Sequence, residues 1–429
     1  MSELAVLGGE PAVTLERPLW PHIGEPEIRD LHEAIRISQT DVSYLDSMPA
    51  GGPIAALEAH IGEYLGRRHA VTSNSCTAAI QMALYAAGVG AGDEVVVSPY
   101  TWPQTVSPIL HQLGTPVFAD IDPDSFTMRP DAVEAAITER TKAILVVHIY
   151  GHPADMDPIV EIGRRHGLPV IEDCAQAMGA FYRGHEVGTL GDLACFSFGN
   201  GKQIIGGDGG CVVTDDAAMW QRLIEIGSHQ RRQERDISDP EVARYMNNLT
   251  YTFRMHPMAA VIVNRQLDFL PEWNLARRAN HHRLSDGLSD IPCISPVVEL
   301  PGAEHCYHKY CPSFVPEEAE GLTREAFVEA VAAEGVQITL GYVRTPIHLR
   351  ARFQERHYFY GEGMPWALND HSSELYQEGD CPVAEARCAT SELEVMGAAA
   401  LRGDQSALID QYLDAFHKVW DQREALIGG

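Results

Sequence analysis

The sequence predicts an α/β protein, with a mainly parallel sheet covered by helices on both faces and a smaller α+β domain at its C-terminal end. Three observations lead there. From residue 53 to residue 214, helix-type and strand-type stretches alternate. The strand-type stretches are continuous apolar runs such as AILVV at 143–147, as expected of strands buried on both sides. Past residue 280 the stretches shorten and the alternation stops, which marks a change of architecture.

Residues 1–55 are rich in proline and glycine, hold one amphipathic helix at 25–37, and read as a segment wrapped over a neighbouring body or subunit. A helix at 53–65 leads into a strand at 70–73 and a helix at 77–88. Strands at 94–98, 116–120, 143–149 and 169–173 then alternate with helices at 106–113, 131–137 and 156–166. The apolar run 193–198 is a buried strand, and CVVT at 211–214 is the next. A helix at 216–227 sets Trp220 and Leu223 on its apolar face. The stretch from 229 to 253 reads as a long polar loop with no core of its own, followed by one long helix at 258–280 that carries the domain boundary. The domains are therefore 1–275 and 276–429. Strands at 307–314 and 336–340 and helices at 324–334 and 405–425 fill the second.

A chain of 429 residues with 45% apolar content buries a large core, and a net charge of −28 argues against nucleic acid or an anionic membrane as a partner. The short cluster Arg231, Arg232 and Arg235 reads as loop salt bridges, not a phosphate track. Nine cysteines, none spaced CxxC, argue against a disulfide framework or a zinc site. Cys174, Cys195 and Cys211 interrupt apolar patterns as small buried hydrophobes, which suits a reducing cytoplasm. The start, MSELAVLGGEPAV, is not a secretory signal, and no apolar run has transmembrane length. The histidine pairs 281/282 and 305/308 lack metal-ligand spacing.

The chemistry concentrates in FSFGNGKQIIGGDGG, residues 196–210. Lys202 stands there between two strands, flanked by glycines, in a chain with only three other lysines: Lys142, Lys309 and Lys418. A desolvated primary amine forms Schiff bases with carbonyl groups. The loop is no nucleotide-binding P-loop, because Gln203 follows the lysine where that pattern requires serine or threonine. Asp173, at the carboxyl end of a strand, is placed to hold a pyridine nitrogen protonated. Thr77 opens an apolar helix whose first amides suit a phosphate, and as a helix cap it reads equally well. Ser197 either joins that phosphate or bonds to backbone. Trp102, beyond the 94–98 strand, can cover a ring. Together these residues describe a site for pyridoxal 5′-phosphate.

The segments NSCTAAI, AGDEVVVSPYTW, FADIDPDSFTM, RTKAILVVHIYGHPADMD, VIEDCAQAMGA, FSFGNGK, GGDGG and CPVAE run along most of the chain. In them the sequence resembles the DegT/StrS-type sugar and cyclitol aminotransferases, which are fold type I pyridoxal phosphate enzymes. The resemblance implies that Lys202 is the Schiff-base lysine and that Asp173 pairs with the pyridinium nitrogen. It implies that Gln176 and Trp102 contact the ring, and that the Cys76 amide, Thr77 and Ser197 bind the phosphate. Cys76 stands where the family has glycine. Thr252, in TYTFRM, stands where the family has the asparagine that reaches the partner subunit's phosphate. The implied activity is ping-pong transfer from an amino acid, glutamate or glutamine, to a keto sugar or ring ketone, in a homodimer with shared active sites. LAVLGGEPAV and the following Trp20 and Pro21 resemble the cyclitol enzymes of aminoglycoside pathways, and FSFGNGK also resembles amino-hydroxybenzoate synthases. A non-catalytic regulator is the remaining alternative, against which the intact lysine, aspartate and serine set argues.

Overall fold

The computed structural model of the protein describes residues 3–246, 249–359 and 361–427. Seven strands form the central sheet: β1 (His69–Ser73), β2 (Glu94–Val97), β3 (Thr115–Phe118), β4 (Thr141–Val147), β5 (Val170–Asp173), β6 (Leu193–Ser197) and β7 (Gly210–Thr214). Their order is β1-β7-β6-β5-β4-β2-β3. From β6 across to β3 all neighbours are parallel, while β7 runs antiparallel to both β6 and β1. The alternation of side chains along β4 separates the two faces. After α1 (Glu25–Ser38) and α2 (Gly52–Leu65), which precede the sheet, come α3 (Cys76–Ala86) and α4 (Pro103–His111); Ala143 and Leu145 pack with these two and the 217–227 helix, whereas Ile144 and Val146 pack with Met156, Ile159 and Ile162 of the 156–166 helix. Fully burying such a side chain contributes about 1.5–3 kcal/mol, so a one-residue slip of β4 would put both sets against the wrong partners.

The predicted helix at 258–280 is two helices, Pro257–Leu267 and Leu270–Leu288. Pro271 explains the break: it has no N–H to donate, and its ring would strike the Leu267 carbonyl one turn back. The second of these helices joins two apolar clusters. Leu270 and Trp273 pack against the sheet side, and Leu284 and Leu288 pack with Phe327, Phe416 and the 406–421 helix. The N-terminal segment wraps onto this second cluster. Leu4 is fully buried in it, and the buried Glu334 carboxylate accepts from the Ala5 amide at 2.8 Å, the Ala12 amide at 2.9 Å and Lys418 Nζ at 2.9 Å.

Three further expectations change. The predicted strand 307–314 reduces to Ser313–Phe314, because Tyr307 takes φ 51°, outside the strand region, and stacks between His281 and His305. The predicted strand 336–340 reduces to Ile338–Thr339. The polar stretch after residue 229 is not a coreless loop. It contains the helices Gln230–Asp236 and Pro240–Ala243 and sends Ile237 and Val242 into the main core. Asn247 and Asn248, which the sequence placed in this loop, lie outside the described residues.

Buried histidines form a column between the two clusters: His281 and His305 lie 4.5 and 4.1 Å from Tyr307, ring to ring, and His152 lies 5.5 Å from His305. Burial pushes the imidazoles of His152 and His281 down to about 4 and that of His305 well below its usual range. Each is neutral when folded and charges near pH 6.5 when unfolded, so their contribution is complete above about pH 6.5 and is lost as pH falls toward 4. For His281 alone the loss reaches about 3 kcal/mol. Glu186, whose carboxyl burial pushes up to about 8, titrates in the opposite sense, so the comparison must be made within one background. We expect the drop in melting temperature between pH 7 and pH 5 to be smaller in His281→Phe than in the parent protein; an equal drop would refute the assignment.

Candidate active site

The site lies beyond the carboxyl ends of the parallel strands, where open α/β sheets place ligands. Asp173 is the last residue of β5 and is buried. Its Oδ2 accepts from Thr105 Oγ1 at 2.7 Å and its Oδ1 from the Ala175 amide at 3.0 Å. Both donors are neutral. Burial therefore dominates and raises the carboxyl pKa, with the two hydrogen bonds and the Lys202 charge opposing. Its neighbour Glu172 faces the other side of the strand, where it accepts from His148 Nε2 at 3.0 Å and from the amides of Gly188, Leu190 and Gly191. His148 Nδ1 accepts from the Ala154 amide, which fixes the proton on Nε2. Because both ring nitrogens of His148 and both carboxylate oxygens of Glu172 are already hydrogen-bonded, the His148, Glu172 and Cys174 cluster is a structural brace.

Lys202 sits in the connection between β6 and β7, closed by Phe198 N–H to the Gly209 carbonyl at 2.9 Å and Gly206 N–H to the Phe198 carbonyl at 2.7 Å. Distant segments hold this connection. Trp20 Nε1 donates to the Lys202 carbonyl at 3.0 Å, Arg277 Nη2 donates to the Gln203 carbonyl at 3.0 Å, and Gln203 Nε2 donates to the Gln176 carbonyl at 2.6 Å. The Lys202 amine is half-buried, and its pKa is lowered, first by burial and then by the like charge of Lys309; Cys76 and Asp173 oppose the shift. A lowered pKa makes the neutral, nucleophilic amine accessible.

The helix start lies beside this loop. Ser75, not Thr77, caps α3, accepting from the Ala78 amide at 3.2 Å, so Cys76 and Thr77 occupy the first two helical positions. Their place at the positive end of the helix suits an anion. Ser197 pairs in register with Gly210, and its Oγ accepts from the Gly199 amide at 3.4 Å. A Cβ on Gly210 would fall 2.6 Å from the Ser75 carbonyl and 2.7 Å from the Cys76 nitrogen, so only glycine lets β7 approach the helix start this closely. Gln176 is buried and accepts at Oε1 from the Tyr150 amide at 2.8 Å. Trp102 is 48% exposed and stacks on Tyr342, ring centroids 5.3 Å apart.

Of the predicted site residues, Asp173, Lys202 and Cys76 are close enough for their charges to act on one another, and Thr77 and Ser197 border them. Thr252 is exposed, on a segment whose Phe253 carbonyl accepts from the Asn74 amide at 2.7 Å. The arginines read as loop salt bridges form them: buried Arg232 grips Glu58 at 2.9 and 2.7 Å, Arg231 pairs with Asp46, and Arg235 binds Asp236 and the Pro49 carbonyl. Sequence reasoning missed Thr105, although its spacing three residues after Trp102 on a helix was a usable signal. It also missed His308, which lies beside Gly201, and Lys309 and Tyr342, which arrive from the C-terminal third of the chain.

The sequence pattern of the DegT/DnrJ/EryC1/StrS aminotransferase family matches residues 32–374. The chain belongs to this family. It is an aminotransferase of the pyridoxal phosphate-dependent kind. The L-glutamine:2-deoxy-scyllo-inosose aminotransferase of Micromonospora echinospora is 34% identical over 437 residues, covering 100% of both chains. The protein of that description from Streptomyces fradiae is 39% identical over 302 residues, 67% of this chain and 68% of the relative. Among solved structures, the aminotransferase from Psychrobacter cryohalolentis superposes with a TM-score of 0.78 at 26% identity, covering 95% of this chain and 99% of the other. A 3-amino-5-hydroxybenzoic acid synthase superposes at 0.77 and 25% identity, covering 95% and 100%.

Replacing Lys202 with alanine should cut transamination by about a thousandfold or more while leaving the melting temperature within a few degrees. A borohydride-reduced cofactor adduct mapped to Lys142, Lys309 or Lys418 would overturn this. Asp173→Asn should retain cofactor but slow both half-reactions by about a hundredfold, since an amide cannot keep a ring nitrogen protonated. Stopped-flow absorbance gives both rates.

Proposed function

We propose that the enzyme moves an amino group from glutamine or glutamate to a ring ketone of the cyclitol or keto-sugar class, in a natural-product pathway of the cytoplasm. The observation that carries the chemistry is the buried Asp173 carboxylate, whose hydrogen-bond partners among the described residues are neutral and which stands near the Lys202 amine and the start of α3. A buried carboxylate without a counter-cation is costly, and a cationic pyridinium supplies one. The helix start offers amides to a phosphate, and Lys202 offers an amine to an aldehyde. The residues fit pyridoxal phosphate, which when bound supplies that aldehyde and a ring that withdraws electrons from the reacting carbon. On this reading the Cys76 amide, Thr77 and Ser197 hold the phosphate, Gln176 and Trp102 border the ring, and Asp173 keeps a proton on the ring nitrogen. Lys202 would hold the group through its amine, and the same amine, when free, would move a proton to and from the substrate carbon.

The acceptor class follows from the relatives, several of which bear scyllo-inosose or 2-deoxy-scyllo-inosose in their names and L-glutamine as donor. The structural likeness to a 3-amino-5-hydroxybenzoic acid synthase supports a second reading, an aromatising dehydration through the same lysine. We further read the chain as domains 1–275 and 276–429 and as a homodimer with shared sites. The exposed Thr252, beside the turn that leads into α3, supports the shared site, since a partner's turn can meet it.

Incubating the holoenzyme with glutamine and a panel of ring ketones, and following the keto acid and the amino product by mass spectrometry, tests the reading. Amination of scyllo-inosose or a deoxy relative is expected; loss of water with formation of an aromatic acid would favour the second reading. For the shared site, Lys202→Ala protein mixed with a variant shortened in the 244–252 segment should regain up to about a quarter of parental activity once subunits exchange, because half of a randomly exchanged population is hybrid and each hybrid holds one intact site of two. No recovery despite demonstrated exchange would refute it.

A further inference from the structure

Lys309 and Glu394 form an ion pair that the chemistry above leaves unused. The antiparallel bridge Tyr310↔Val395 brings their two segments together. Lys309 Nζ lies 4.5 Å from the centroid of the Tyr342 ring, and that ring is the one stacked on half-exposed Trp102. The group borders the catalytic lysine: His308, next in chain to Lys309, reaches the Gly201 carbonyl, the Lys309 charge acts on Lys202, and the Asp173 charge acts on Tyr342. Tyr342 is also fixed in place. Buried Glu392 accepts at Oε1 from the amides of Tyr342 and Val343, both at 2.9 Å, and from the hydroxyls of Tyr100 and Tyr150 at 2.7 and 2.9 Å; its Oε2 accepts from the Arg344 amide at 3.0 Å. Gly341, at φ 118°, leaves room for that carboxylate, since a Cβ there would stand 2.3 Å from Glu392 Cδ.

We propose that Lys309, Glu394 and Tyr342 form the wall that recognises the amino acceptor, and that they select a neutral, polyhydroxylated ring. The assignment rests on the aminotransferase reading above and deepens it. A hydroxyl both donates and accepts, and the pair offers it an ammonium donor beside a carboxylate acceptor. The pair carries no net charge, and the carboxylate repels a second anion. The donor's carboxylate and a nucleotide-linked sugar's diphosphate are both disfavoured there, the more so on a chain of net charge −28. The Tyr342 and Trp102 rings supply the flat apolar face on which the C–H side of a cyclitol packs.

Calorimetric titration of the holoenzyme with scyllo-inositol, which has no ketone to react, tests the proposal. Lys309→Gln, Glu394→Gln and Tyr342→Ala should each weaken its binding about tenfold or more, with Lys309→Arg recovering part of the loss. Binding of α-methylglutamine, a donor analogue without an α-hydrogen, should change less than threefold in the two charge variants. Unchanged scyllo-inositol binding in both charge variants, with only a lowered melting temperature, would make the pair a structural staple and overturn the proposal. Equal weakening of donor analogue and polyol would overturn it as well, as would a parent enzyme that binds uridine diphosphate but no neutral cyclitol. A parent enzyme that binds scyllo-inositol but fails to convert glutamine to its keto acid would strike the aminotransferase reading alone and leave the polyol wall supported.

Discussion

The site depends on one costly arrangement, a carboxylate buried at the end of β5 whose hydrogen-bond donors among the described residues are a hydroxyl and an amide. Burial moves Asp173 and Lys202 in opposite directions, raising the acid and lowering the amine, so that both tend toward neutrality in the free protein. A cationic ligand seated between them reverses the tendency for the acid and binds more tightly for it. The same dryness that disfavours the bare carboxylate strengthens its attraction to a protonated ring, because charges interact more strongly where water is excluded. The arrangement therefore contributes to cofactor affinity what it withholds from the stability of the empty fold.

Holding a loop lysine at such a point requires rigidity that a glycine-rich connection lacks. The structure supplies it from far along the chain. Trp20 comes from the N-terminal segment, and Arg277 comes from the helix that bridges the two apolar clusters. Arg277 also reaches the Ala399 carbonyl at 2.9 Å, and burial lowers its own pKa to about 9. Its guanidinium lies 5.4 Å from the Trp20 ring. One buried side chain thus ties together the lysine loop, the N-terminal segment and the C-terminal body, and a fork of fixed donors suits that task better than a flexible ammonium.

Much of this was legible in the residues because it is local. Continuous apolar runs gave the parallel strands to within a residue or two, and a carboxylate after PVIE or a lysine among glycines needs no distant partner to be noticed. The failures have physical causes too. Pro271 should have divided the predicted 258–280 helix, since its ring excludes the Leu267 carbonyl. The run from Tyr307 onward has strand composition, yet stacking with two histidines holds Tyr307 at positive φ, and a tertiary contact of this kind leaves no periodic trace. The arginines after residue 229 read as salt-bridged, as they are, but two of their partners left no local trace, because Glu58 and Asp46 lie about 170 residues or more upstream. Lys309 was visible only as one of four lysines; its meaning depends on Glu394, 85 residues away.

This difference between local and distant signals corresponds to a division of labour in the site. The groups proposed to hold the cofactor, from Cys76 to Lys202, come from the sheet and the turns at its edge. The proposed acceptor wall, Lys309, Tyr342 and Glu394, comes from the C-terminal third, where Glu392 braces Tyr342. Side chains without shared partners change nearly independently, so the outer wall can be remodelled with little effect on the Asp173 environment. Lys309 is the exception. Its charge adds to the lowering that burial brings to the Lys202 pKa, so the proposed acceptor wall also favours the neutral form of that amine. Replacing Lys309 to admit an anionic acceptor would remove that help along with the selectivity.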